Sequence, residues 1–254
     1  MIRMLSTEVA VVIVAGFLAG IIRSGTGTGV GLFLLPTLAL VFPAKIALAF
    51  GAPLLLATDV FGLRNYWKEW IEPSHLIRLL LAATPGVITG TVLVNIIPAR
   101  EFMLGVGLFG SIYALFQLFP NYAPVHFKKT FVRAASLFAE KEIYFYGALG
   151  GVTTVIAHSG GLLWTIYLMN VVRDRRIFVG TTVIIYLITD TYKTFAFLYL
   201  GLLSPDSLFA ILPAIPAVWL GCFIGNKANR HLRDAIFRKI VLVVILLGSL
   251  KLCF

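Results

Sequence analysis

Residues Arg23-Ser24-Gly25-Thr26-Gly27-Thr28-Gly29-Val30-Gly31 interrupt apolar sequence that begins near Val9 and resumes at Leu32, with Pro36 close behind. A glycine costs a helix about 1 kcal/mol relative to alanine. Gly25, Gly27, Gly29 and Gly31 therefore predict a helix that stops near Ile22 and restarts near Gly29. In lipid, backbone that leaves the helix must line a cavity or lie inside protein, where its N–H and C=O groups find partners. A break bordered by Arg23, Ser24, Thr26 and Thr28 points to a solute site. Close helix packing is the other use of glycine in membranes, but it favours small residues four apart rather than two.

Composition places the break in a bilayer. The 254 residues are 59% hydrophobic and 13% charged, with a mean hydropathy of +0.96. Soluble domains carry about a quarter charged residues, so the expected fold is an all-α integral membrane protein. The net charge of +10 falls between hydrophobic segments, which reads as a topology signal and not a nucleic-acid surface. Cys222 and Cys253 lie in apolar sequence with no metal-ligand spacing. No phosphate-binding glycine-lysine loop is present, so primary pumping by this chain is not indicated, nor is any cofactor or metal.

A short segment over about Thr7–Ile22 and another over Gly29–Val41 are each brief for a full crossing, which takes roughly 20 residues. Spans follow near Ile46–Tyr66, Leu76–Ile97 and Phe102–Phe119. Residues 120–141 mix Phe127, Phe131 and Phe138 with Lys128, Lys129 and Arg133, as in a helix lying at the interface. The pattern then restarts: short segments near Ile143–Ile156 and Gly160–Val171, and spans near Phe178–Leu200, Leu208–Gly225 and Ile236–Leu252.

A shift of 131 lays Gly16 on Gly147, Gly20 on Gly151, Gly29 on Gly160, Thr58 on Thr189 and Asp59 on Asp190. Carried on without a gap, it lays Pro85 on Pro216, Gly90 on Gly221 and Asn95 on Asn226. The chain therefore divides into a first repeat (1–119), a linker (120–141) and a second repeat (142–254), each a broken or re-entrant hairpin plus three spans. Halves of opposite topology put 15 basic residues, Arg64, Lys68, Arg175 and Arg176 among them, on one side and four on the other. The positive-inside rule makes the rich side cytoplasmic and places both termini outside the cell (inner) membrane. Inverted repeats around mid-membrane breaks suit an alternating-access transporter.

The glycine break with its Pro36, the second break at Ser159-Gly160-Gly161, and the openings Ala49-Phe50-Gly51-Ala52 and Gly180-Thr181-Thr182 resemble the sulfite exporter TauE/SafE family. The resemblance covers nearly the whole chain apart from 120–141. It implies movement of sulfur-containing anions such as sulfite, sulfonates or related organic acids.

The residues themselves also favour an anion. Helix N-termini at two breaks facing one cavity present unpaired N–H groups and a positive dipole end. Gly25, Gly27, Gly29 and Gly160 shape those breaks, and Arg23 adds a planar donor fork. Ser24, Thr26, Thr28, Thr153, Thr154 and Ser159 supply neutral donors. His158 in the second break can take a proton or, charged, hold an anion; the ordinary alternative is a satisfied polar residue. Lys193 is three residues from Asp190 on one helix face and is its expected partner, for structure or gating. Asp59 has no such neighbour and is the expected proton carrier, unless both acids hold the repeat interface with Asp59 on Arg23. Tyr66, Trp67 and Trp70 fit an aromatic belt, and Gly86/Gly90 and Gly221/Gly225 fit helix packing. The expected partners are thus a small anion, protons and the lipid bilayer, with a homo-oligomer open. An anion channel is the rival reading, and an intramembrane enzyme built on His158 and Ser159 a weaker one.

Overall fold

The computed structural model describes residues 6–119, 142–158, 163–164, 167–168, 171–231 and positions 243, 246 and 250. All regular structure among these is helical. The elements are α1 (Ser6–Thr26), α2 (Val30–Leu38), α3 (Ala44–Asn65), α4 (Pro73–Ile96) and α5 (Ala99–Leu118) in the first part of the chain. The second part holds α6 (Glu142–Ala157), α7 (Arg175–Tyr199), α8 (Pro205–Ile211), a 3-10 turn (Leu212–Ala214) and α9 (Ile215–His231). The interfacial helix expected in 120–141, and most of the span expected near 236–252 and of 160–171, lie outside the described residues.

Among the described residues, four stretches are long and apolar enough to cross a membrane: Thr7–Thr26, Ala44–Asn65, Pro73–Ile96 and Pro205–Asn229. The first corrects an expectation, for α1 does not stop at Ile22. The Thr26 hydroxyl donates back to the Ile22 carbonyl at 2.9 Å. The Gly27 N–H reaches the Arg23 carbonyl at 2.9 Å, so the ladder closes through Gly25. An unpaired backbone group in hydrocarbon costs several kcal/mol, which outweighs about 1 kcal/mol per glycine. The break shrinks to Gly27-Thr28-Gly29, where φ reaches 77° at Gly27 and 82° at Gly29. Helix α2 then starts without a side-chain cap. Gly31 lies inside it and abuts the His158 carbonyl so closely that a Cβ would not fit.

Packing repeats itself. Helix α1 lies chiefly on α9, α4 on α6, and α3 on α7. Where α1 meets α9, a Cβ on Gly20 would meet Val218 O, Cys222 N and Gly221 C. Where α6 meets α4, a Cβ on Gly151 would meet Ala83 O, Val87 N and Gly86 C. The reciprocal contacts agree: Gly221 faces Phe17 O and Ile21 N, and Gly86 faces Ala148 O and Val152 N. Glycines 20 and 151 keep the shift of 131, but Gly86 matches Gly221 and Gly90 matches Gly225, a shift of 135. The gap-free alignment of Gly90 with Gly221 therefore slips by one helical turn. Helices α3 and α7 begin 131 apart, but α7 has 25 residues against 22 and takes up most of the difference. Both glycine pairs serve helix packing, as expected.

Candidate functional site

Where α1, α3, α6 and α7 meet, five ionisable side chains are shut away from solvent. Arg23 is 2% exposed, His158 4%, and Asp59, Asp190 and Lys193 are fully buried. The Arg23 Nε lies 2.7 Å from Asp59 Oδ1, and its Nη2 donates to Asp190 Oδ2 at 3.4 Å. One guanidinium thus serves both acids, and the ring of Tyr186 lies under it at 4.0 Å. Nε also has Thr58 Oγ1 at 3.5 Å. The Asp59 contact is an ion pair and not an aligned hydrogen bond, for neither Asp59 oxygen receives a donor.

Lys193 completes the cluster. Its Nζ is 2.5 Å from Asp190 Oδ1, and it donates to the Thr154 carbonyl at 3.1 Å. The third direction leads to His158 Nδ1 at 3.0 Å. His158 Nε2 is 3.0 Å from the Leu48 carbonyl. A carbonyl only accepts and an ammonium only donates, so the proton sits on Nε2 and the imidazole is neutral. His158 takes φ 51°, a left-handed conformation that side chains rarely hold without a reason. Its position is 131 beyond Gly27, which has the same handedness.

The structure thus brings together Arg23, Asp59, Thr154, His158, Asp190 and Lys193. Asp59 has no cation on its own helix face, and Arg23, the alternative partner the sequence offers, reaches it from another helix. The predicted Asp190–Lys193 pair is present. The hydroxyls are mostly committed to backbone and not held out for a solute. Thr26 donates to the Ile22 and Thr28 carbonyls, and Thr153 to Leu149. Ser24 is buried, and Thr28 is half-buried in the break. Ser159 and Gly160 lie outside the described residues.

Tyr66 corrects a second expectation. Trp67 and Trp70 meet edge to face and Trp67 is exposed, as a belt residue should be. Tyr66 is instead fully buried, and its hydroxyl donates to the Ser24 carbonyl at 2.7 Å. The Gly25 carbonyl accepts from Asn229 Nδ2 at 2.6 Å and Arg175 Nη2 at 3.5 Å. Arg176 grips Glu69 through two nitrogens at 2.6 and 2.9 Å, tying the turn after α3 to the start of α7. Tyr186 had a readable signal, four residues before Asp190 on the same face. Asn229, some 200 residues from its partner, had none.

Apolar helices folded around a buried, charge-balanced cluster beside a helix break define a multi-pass membrane transport protein. Residues 12–252 match the family Sulfite exporter TauE/SafE. With nearly the whole chain covered, the protein belongs to that family, whose members move sulfur-containing anions across membranes. No curated protein and no solved structure matches it.

Proposed function

We propose that this chain is a secondary transporter that moves sulfite, a sulfonate or a related organosulfur anion by alternating access, coupled to protons through Asp59. The observation that carries the reading is the Arg23 guanidinium shared between Asp59 and Asp190, in a dry site beside the Gly27–Gly29 break. Arg23 offers the fork that a sulfonate or sulfite oxygen edge accepts. Helix α2, which starts just after the break without a side-chain cap, offers backbone N–H groups to an anion. Asp59 and Asp190 act as stand-ins that hold the guanidinium while no anion is there.

Two halves of opposite topology supply the alternation. The matched contacts of α1 on α9 and α6 on α4 support this, as does the unequal division of basic residues between the two sides. On that reading Tyr66 and Arg176 lie toward the cytoplasm of the cell's inner membrane, and the chain starts and ends on the opposite side. Direct solute binding by Thr26 and Thr153 recedes, since their hydroxyls serve the backbone.

The test uses purified protein in proteoliposomes. Sulfite, simple sulfonates, thiosulfate and carboxylates are first screened by thermal shift, with Arg23→Lys as the control that keeps the charge and loses the fork. An imposed proton gradient should then drive uptake of the stabilising anion in the parent but not in Asp59→Asn. Equal proton dependence in both would remove Asp59 from the mechanism.

A further inference from the structure

We infer that the cargo crosses as a monoanion together with a single proton carried on Asp59, so that the loaded and the empty cluster are both electrically neutral. This rests on the transport reading above and adds the charge class of the cargo and the coupling ratio. The empty cluster sums to zero: Arg23 and Lys193 are positive, Asp59 and Asp190 negative, and His158 neutral by its hydrogen bonds. All five are buried. A net charge in so dry a place is heavily penalised, so a loaded state must also balance.

A monoanion on Arg23 brings one negative charge, and one proton on a carboxylate restores the balance. Asp59 is the acid that can take it. Arg23 is the cation in contact with it, and that is the group the anion needs. Both Asp59 oxygens lack a hydrogen-bond donor, and the Asp190 carboxylate adjoins them. A proton taken up from the aqueous phase forms the Asp59 O–H, which donates to Asp190 and releases the guanidinium from Asp59. Asp190 cannot take its place, because Lys193 holds it at 2.5 Å as well. The groups facing Asp59 from the surrounding helices are Arg23 on α1, Tyr186, Asp190 and Lys193 on α7, and Cys222 on α9. A dianion would need a second proton on Asp190, against the pull of Lys193. Hydrogensulfite and monosulfonates therefore fit, and doubly charged sulfite, sulfate and thiosulfate do not.

Proteoliposomes holding the full chain test this with hydrogensulfite and ethanesulfonate. Counterflow with no gradient comes first, and its absence for both probes would overturn the transport reading together with the inference. With counterflow present, a potential of about 60 mV set by potassium and valinomycin should leave net uptake unchanged. One uncompensated charge would instead shift the accumulation ratio about tenfold. A proton gradient of about one unit, with the potential clamped at zero, should raise accumulation about tenfold for one proton per anion. Asp59→Glu should keep that response and Asp59→Asn should lose it. Uptake in the parent that follows the potential, or a response near a hundredfold to the proton gradient, overturns the inference even though transport stands. The parent measurements decide the matter if the Asn variant does not fold.

Discussion

Positions 131 apart in the earlier helices, and 135 apart in the later ones, make matching contacts and carry different chemistry. Asp59 and Asp190 are alike, but the first takes its cation from α1, where Arg23 stands, and the second from its own helix, where Lys193 stands. The counterpart of Arg23 is Thr154, and the counterpart of Lys193 is Gly62. At the breaks, Gly27 faces Thr182, whereas His158 faces Gly51. The larger partner has changed sides. At the Tyr66 end the break is held by polar groups, Tyr66 on the Ser24 carbonyl and Asn229 on the Gly25 carbonyl. The equivalent positions at the other end, Val155, Phe197 and Val94, are buried in the apolar core. The matched positions thus differ by exchanges of charge and size between facing helices, with polar groups on the Ser24 and Gly25 carbonyls and apolar ones at Val155, Phe197 and Val94.

The largest effect should come from removing the cation that both acids share. Breaking a buried ion pair on one side costs about 3–5 kcal/mol, because a charge is left unpaired. Arg23→Gln strips Asp59 of its contact cation and should fall in that range, read as loss of thermal stability in detergent. Lys193→Met leaves Asp190 with Arg23 at 3.4 Å and should cost roughly half as much. Adding Asp59→Asn to Arg23→Gln should recover most of the loss, since the unpaired charge is gone. If Lys193→Met proved the more damaging, the two halves would not balance their acids in the manner described.

Next is the exchange at the breaks. Gly27→Ala must hold φ 77° with its Cβ only 2.6 Å from the Thr182 hydroxyl. A cost of about 2 kcal/mol is expected from strain of this kind. Thr182→Ala in the same chain should return part of it by opening the space that Gly51 opens for His158. No recovery would mean that backbone conformation alone, and not the exchange of volume, sets this position.

How much of this could be read beforehand follows from the range of each interaction. Span ends such as Pro73–Ile96, expected at Leu76–Ile97, are legible because hydropathy and bilayer thickness fix them together. The Asp190–Lys193 pair is legible because three residues make one helical face. The helix through Gly25 was not, since local propensity is overruled where a broken backbone has no water to turn to. The sequence offers Arg23 as a partner for Asp59 only as an alternative, for the two stand on separate helices and no spacing rule joins them. Tyr66 is read as a surface aromatic when only its neighbours Trp67 and Trp70 are considered; its hydroxyl has a target that the sequence does not place beside it. The four-residue slip between shifts 131 and 135 is invisible to an alignment that rewards glycine on glycine, because Gly86, Gly90, Gly221 and Gly225 repeat at that same spacing.

The smallest effects belong to the polar and apolar ends, and they differ in kind. Tyr66→Phe removes one donor from the Ser24 carbonyl and should cost about 1 kcal/mol, the net worth of a typical hydrogen bond. The reverse change at the matching place, Phe197→Tyr, puts a hydroxyl into the apolar core that also holds Val94 and Val155. A hydroxyl left there without a partner should cost about 2 kcal/mol, the penalty for an unsatisfied buried polar group. The order is the informative part: the same atom is removed in one case and added in the other, and both changes destabilise. A stabilising or neutral Phe197→Tyr, measured by thermal unfolding beside Tyr66→Phe, would mean that the added hydroxyl finds a polar partner at that end. The contrast between the ends would then be one of side-chain type and not of available partners.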